Sequence, residues 1–539
     1  MTAWRNAALL SLLLPLAATA HAEDFPSDEV VVTAPAEAPL TAASELRVTT
    51  PELAARPIAR TGEILEAAPG LIATQHSGEG KANQYFLRGF NLDHGTDLSL
   101  TLDGMPLNMR THAHGQGYAD LSFLIPELLG GMLVRKGPYA ADLGDFANAG
   151  AIDMAFLDSV PRSYAQATGG SFGYGRALSI GSFTLGEGRL LLAGEAAMGN
   201  GPWQEPEALR RLNGFARYSQ GDAAGGFSLT AMAYAGRWNA TDQIPARALS
   251  AGLITRYGTL DASDGGQAQR YSLSANWHRQ GEYGITRIVA YAVRSTLDLF
   301  NNFTYFLNNP VNGDQFQHQD RRWLFGLDAR HIWRGEAAGR QLEARIGLQT
   351  RHDDIALGLY QTEARNRLAP IRVDAVRQSS LGLWGDATWR ATPWLRAVLG
   401  LRGDWVGGRV SSDLPANSGT AGEMIASPKA GLVFGPWWAT EFFLNAGTGF
   451  HSNDLRGTTI NVDPADTLTR LSRVPLLVRS RGAEIGLRHR WPEGLESSLA
   501  LFVLTLGSEI LFVGDAGTTE ASRPSRRIGF EWTNRWRVN

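Results

Sequence analysis

No cysteine occurs among the 539 residues. That excludes a disulfide scaffold, thiolate metal ligands and a cysteine nucleophile together. Lysine is almost as scarce: Lys81, Lys136 and Lys429 are the only three, so 47 of the 50 basic residues are arginine. Arginine's fixed charge and planar fork suit partly buried polar surfaces. Charged residues make up 19% of the chain, below the about 25% of an ordinary soluble domain. A formal net charge of -3 gives no electrostatic argument for nucleic acid. Long apolar runs are missing too. A helical membrane bundle needs repeated runs of about 20 residues, and the one candidate, residues 7–20, is shorter. There is no Gly-Lys-Ser/Thr phosphate loop, and no cofactor is expected. The Gly-x-Ser-x-Gly string at 169–173 lies in a strand–turn–strand stretch, without the helix a nucleophile elbow requires. No other constellation argues for an enzyme.

What is present divides the chain into four parts. Arg5, the apolar residues 7–20 and the small-x-small string Ala20-His21-Ala22 have the layout of a secretory signal, so residues 1–22 are read as a cleaved leader. Residues 23–50 are too rich in Ala, Pro and Glu to fold alone. They hold one β-prone island, Asp28-Glu29-Val30-Val31-Val32-Thr33, able to add as a strand to a partner's sheet edge. Residues 51–157 mix short helices (61–68, 123–129) with strands (85–90, 98–102, 130–135), and Asp103-Gly104 marks a tight turn.

Beyond Phe156 the pattern changes to period two. Leu381, Leu383, Ala387 and Trp389 share one face, while Ser380, Gly382, Asp386 and Arg390 share the other. Short connections at 334–340, 391–394, 435–440 and 491–495 alternate with long polar ones at 238–269, 298–320, 353–372, 408–424, 451–480 and 514–524. Trp394, Trp437, Trp438 and Trp491 stand near strand ends, where an interfacial girdle belongs. Together these features predict residues 158–539 as an antiparallel transmembrane β-barrel.

Particular motifs now carry a family resemblance. Leu87-Arg88-Gly89-Phe90, Asp103-Gly104-Met105-Pro106 and Leu133-Val134-Arg135-Lys136-Gly137-Pro138 resemble the plug signature of the TonB-dependent outer-membrane receptors. Residues 447–457 and 481–487 resemble the family's barrel segment, and the Val-rich island resembles its energy-coupling box. The resemblance implies an outer-membrane barrel occluded by an N-terminal α/β plug. It also implies active import of a scarce ligand, powered by a TonB-type inner-membrane complex that grips Asp28, Glu29, Val30, Val31, Val32 and Thr33. The expected cargo is a metal complex such as a siderophore, haem or another chelate. Organic cargo (a saccharide or vitamin) and a passive porin are the alternatives. A monomer embedded in outer-membrane lipid is expected. About 16 strands can be counted, against 22 in the resembled family. Because a lipid-facing open edge is disfavoured, the chain is expected to be truncated by about 120 residues.

Candidate ligand residues cluster in the plug. His112 and His114 are two apart and would face one side of an extended loop, as a metal site would require. Arg110, Gln116 and Tyr118 share that loop, where the family places its plug apex, and His94 lies in a neighbouring turn. His451 and Asn453 follow a predicted strand and complete the set of expected ligand contacts.

Overall fold

In a computed structural model, residues 40–75, 80–509, 511–513, 517–520 and 522–538 are described. The expected leader (residues 1–22) and the expected coupling island (28–33) lie outside these residues. No described helix is long and apolar enough to cross a membrane. A 16-stranded sheet begins at Tyr164–Gly169 and ends at Ser525–Trp536, each strand antiparallel to its neighbour in sequence order. Its two end strands have no ladder between them among the described residues. The period-two pattern is why it forms. Leu383, Leu399, Leu401 and Ile528 project outward, while Arg402 and Asp404 turn inward and are buried. Trp394 stacks on Trp437 with centroids 6.1 Å apart beside two short turns.

Two connections differ from the expectation. Residues 353–372 are not a loop: strands Arg340–Glu363 and Asn366–Thr392 run through them, 24 and 27 residues long, and meet at a two-residue turn. At about 3.3 Å per residue each spans about 80–90 Å, far more than an apolar band of about 25 Å needs. The excess extends beyond that band: Asp354 and Arg367 face water there, while Asp353 and Arg372 turn inward and are buried. Likewise strand Phe316–Ala337 begins inside the expected 298–320 loop.

Inside the curled sheet sits the small domain. Its main sheet orders Leu46–Thr49, Leu129–Lys136, Gly150–Phe156, Leu98–Leu102 and Met105–Pro106, with one parallel pair between Leu98–Leu102 and Gly150–Phe156. Leu98, Leu100 and Leu102 alternate inward and are almost fully buried. The Asp103-Gly104 turn forms as expected, both residues at positive φ (49° and 80°). Arg88-Gly89 also turns (φ 52° and 75°), so the expected strand over 85–90 divides into Gln84–Leu87 and Phe90–Asn91.

The signature residues tie this plug to the wall. Arg88 bonds Glu484 and Glu531, both at 2.9 Å, and Lys136 bonds Glu531 at 2.9 Å. Asp103 meets Arg217 at 2.6 Å, whereas Arg135 pairs within the plug with Asp142 and Asp153. The carbonyl of Pro138, after Gly137 at positive φ, accepts from Lys429 Nζ at 2.9 Å. The plug's apolar core also continues into the wall through Leu178, Leu191, Phe215, Val293 and Phe502.

Candidate functional site

The apex loop leaves the plug at Met109 and returns at Tyr118, closed by a bridge between the two. Asn108 anchors it: its side-chain amide donates to the carbonyls of Gly95, Leu98 and Gly117 and accepts from Leu100 N–H. These bonds stitch the loop to the turn carrying Asp93 and His94. Thr96 Oγ1 donates to the Gln116 carbonyl at 2.7 Å, and Ala119 N–H donates to the His94 carbonyl at 2.8 Å.

Three imidazoles follow in line. His94 Nδ1 lies 2.9 Å from the Ala82 carbonyl; a carbonyl only accepts, so that nitrogen carries the proton and Nε2 is the acceptor. His114 Nε2 is 3.0 Å from His94 Nε2, and His114 Nδ1 is 3.4 Å from His318 Nδ1 on the barrel wall. Burial, reinforced by the Lys81 charge, holds the His114 imidazole well below its ordinary pKa, and burial likewise lowers His94. His112 is pushed down to about 3, burial outweighing the nearby carboxylate of Asp320. All three plug imidazoles are therefore neutral, the form that ligates metals.

His112 and His114 do not act as a facing pair, because the loop bends between them. The His112 ring stacks on Tyr118 with centroids 4.0 Å apart and points Nε2 toward Asp320 at 3.6 Å. His94, His114, Tyr118 and His112 nonetheless gather in one buried patch. Gln116 bonds Asn453 (3.4 Å) and Asp454 N–H (3.3 Å). Arg110 is engaged by Asp145 (2.6 Å) and Ser380 (2.7 Å), and His451 by Asp97 (2.9 Å). The Arg110–Ser380 and His451–Asp97 contacts join plug to wall, and Arg110 and His451 stand outside the imidazole patch.

Three wall residues escaped the sequence reading: His318, Asp320 and Arg322. They alternate on one face of Phe316–Ala337, a period-two signal hidden by taking 298–320 as a loop. The covering of the apex was also missed. A short helix, Leu455–Thr459, lies over the loop, with Leu455 N–H on Thr111 Oγ1 (3.0 Å) and Arg456 Nη2 on the His112 carbonyl (2.7 Å). Among the described residues, no three His, Asp or Glu side chains stand together as a metal cage.

A membrane barrel plugged by its own N-terminal domain, with donors gathered at the plug apex, defines a class of gated outer-membrane protein. Family comparison agrees in both halves: TonB-dependent Receptor Plug Domain matches residues 38–151, and TonB dependent receptor-like, beta-barrel, matches 202–539. The chain belongs to the TonB-dependent receptors of the outer membrane. Solved structures share its fold. The ferric citrate transporter FecA, unliganded, is 13% identical over 91% of this chain and 74% of its own, with a TM-score of 0.73. The siderophore receptor PiuA from Acinetobacter baumannii is 14% identical over 92% and 76%, TM-score 0.72. The copper transporter OprC is 16% identical over 92% and 78%, TM-score 0.71.

Proposed function

We propose that this receptor actively imports a scarce metal complex across the outer membrane, as a monomer driven by a TonB-type inner-membrane partner. One observation carries the cargo class: neutral imidazoles of His94 and His114 gather at the plug apex, donors that suit a late transition metal. The solved relatives include transporters of ferric citrate and copper, in keeping with this reading. The closed apex also explains the need for energy. Thr111, His112, Gln116, Asn453 and Asp454 are buried together, so cargo passes only if the plug rearranges. The sequence has no Gly-Lys-Ser/Thr phosphate loop, and in this reading the work enters through Asp28, Glu29, Val30, Val31, Val32 and Thr33.

The test is deletion of residues 28–34 in cells, read as cellular iron, copper, nickel and zinc under limitation of each. The expected outcome is lost accumulation of one metal with surface expression and ligand binding intact. Uptake unchanged by the deletion overturns the coupling. Expression induced by limitation of none of the four metals overturns the metal cargo and favours an organic one.

A further inference from the structure

The facing nitrogens of His94 and His114 fit one particular ligand. Two imidazole nitrogens about 2.0–2.1 Å from one ion, at angles between square-planar and tetrahedral, stand about 2.9–3.4 Å apart. His94 Nε2 and His114 Nε2 stand 3.0 Å apart. Asp93 Oδ1 lies 3.6 Å from His94 Nε2. The other Asp93 oxygen rests against Gly115, 2.8 Å from where a Cβ would be. A side chain at 115 would thus take the place of the carboxylate beside His114. Two nitrogens are in position, and the Asp93 carboxylate stands beside one of them.

We propose that His94, His114 and Asp93 form a transit site for a bare late divalent first-row ion, Cu²⁺, Ni²⁺ or Zn²⁺, inside the plug. The inference deepens the metal-import reading and rests on it. Imidazole suits these ions and not Mg²⁺ or Ca²⁺. A ferric siderophore whose chelator fills every position offers imidazole no place, so the ion reaches this site stripped of its carrier or weakly chelated.

Binding needs no proton lost to water. The ion takes the lone pair of His94 Nε2. The proton on His114 Nε2 moves to Nδ1, and that on His318 moves from Nδ1 to Nε2, so every imidazole stays neutral while His114 Nε2 becomes a ligand. The charge of Lys81 nearby weakens the hold. The absence of a finished three-ligand cage among the described residues has the same effect. A conducting site must bind well enough to admit an ion and weakly enough to release it.

The full chain, purified in detergent, is titrated with Cu²⁺ alone and read by equilibrium dialysis and electron paramagnetic resonance. Wild type is expected to bind one ion with hyperfine splitting from two imidazole nitrogens. His94→Gln and His114→Gln should each weaken binding at least about tenfold, and Asp93→Asn less. His352→Gln, on an exposed strand position, should change nothing. Heat-modifiable migration checks that each variant folds, and the wild-type spectrum stands without any variant. A wild-type spectrum lacking nitrogen splitting, or a folded His94→Gln/His114→Gln double variant that binds as wild type, overturns the proposal. Box-dependent uptake together with a silent titration sinks this site alone; box-independent uptake sinks the import reading and leaves the titration to stand.

Discussion

At the residue scale, the decisive quantity is the protonation of buried imidazoles. His94, His112 and His114 have folded-state pKa values below the ordinary value of about 6.5, burial being the largest cause in each. Neighbouring charges pull both ways: Asp93 and Asp320 favour charge on His94 and His112, while Lys81, Arg322 and Arg456 oppose it. Desolvation wins. A depressed histidine pKa means the opened state binds more protons than the closed one. The closed apex is therefore at full stability above about pH 6.5, and loses it as pH falls toward the folded value of about 3 for His112. Hydrogen exchange in residues 110–118, corrected for intrinsic rate, is expected to be faster at pH 4.5 than at pH 7.5. Equal protection at the two values would show that these rings are already solvated.

At the element scale, the arginine excess has a structural account. Arg and Asp two apart on a strand share a face, and the lumen wall repeats that pair: Asp320/Arg322, Arg351/Asp353 and Arg402/Asp404. Each carboxylate balances its guanidinium, which then reaches a plug carbonyl. Arg322 donates to Thr111 (2.7 Å), Arg351 to Asn108 (2.7 Å) and Arg402 to Asp142 (3.2 Å). Lysine has no fork with which to hold both. Removing one charge of a buried pair costs about 3–5 kcal/mol, because it strands the other. Asp353→Asn should therefore loosen the contact Arg351 makes with Asn108, seen as faster exchange or proteolysis of residues 108–116 with the barrel intact. Unchanged protection would mean the pair only fills space. Of these pairs only Arg402/Asp404 was legible in the sequence as alternation, as were the Asp103-Gly104 turn and the inner faces of the later strands. The extended hairpin of Arg340–Glu363 and Asn366–Thr392 was not, because wet strands beyond the membrane have the composition of loops. His318 was lost for the same reason. The lid over the apex was invisible because Leu455 and Arg456 find their partners in a segment more than 300 residues earlier.

At the scale of the molecule, the plug is held in two different ways on two sides. Strands from Gly175–Leu185 to Gly284–Asn301 meet it largely through apolar side chains such as Leu178, Phe215, Met232 and Val293. Strands from Arg340–Glu363 to Leu477–Arg490 meet it through Arg351, Arg402, Lys429 and Arg488, all donating to backbone carbonyls. The apolar half arises because the plug core and the wall share one cluster. Sliding along the apolar half would expose surface at about 25 cal/mol per Å². On the polar half, water can replace each bond as it breaks, and net costs there are about 1 kcal/mol apiece. Force from the coupling segment is thus expected to part the plug from its polar side first. That side can be locked. Ala141 faces Gly400, where an added Cβ would stand 2.9 Å from the Ala141 Cβ, about 1 Å closer than a disulfide prefers. A slight retreat of the Ala141 loop would accommodate the bridge, and a chain without native cysteine forms no competing one. Ala141→Cys with Gly400→Cys, oxidised to completion by gel shift, should bind ligand normally, fail to import it, and recover on reduction. Import at the wild-type rate by the fully bridged protein would show that the polar side stays shut and the passage opens elsewhere.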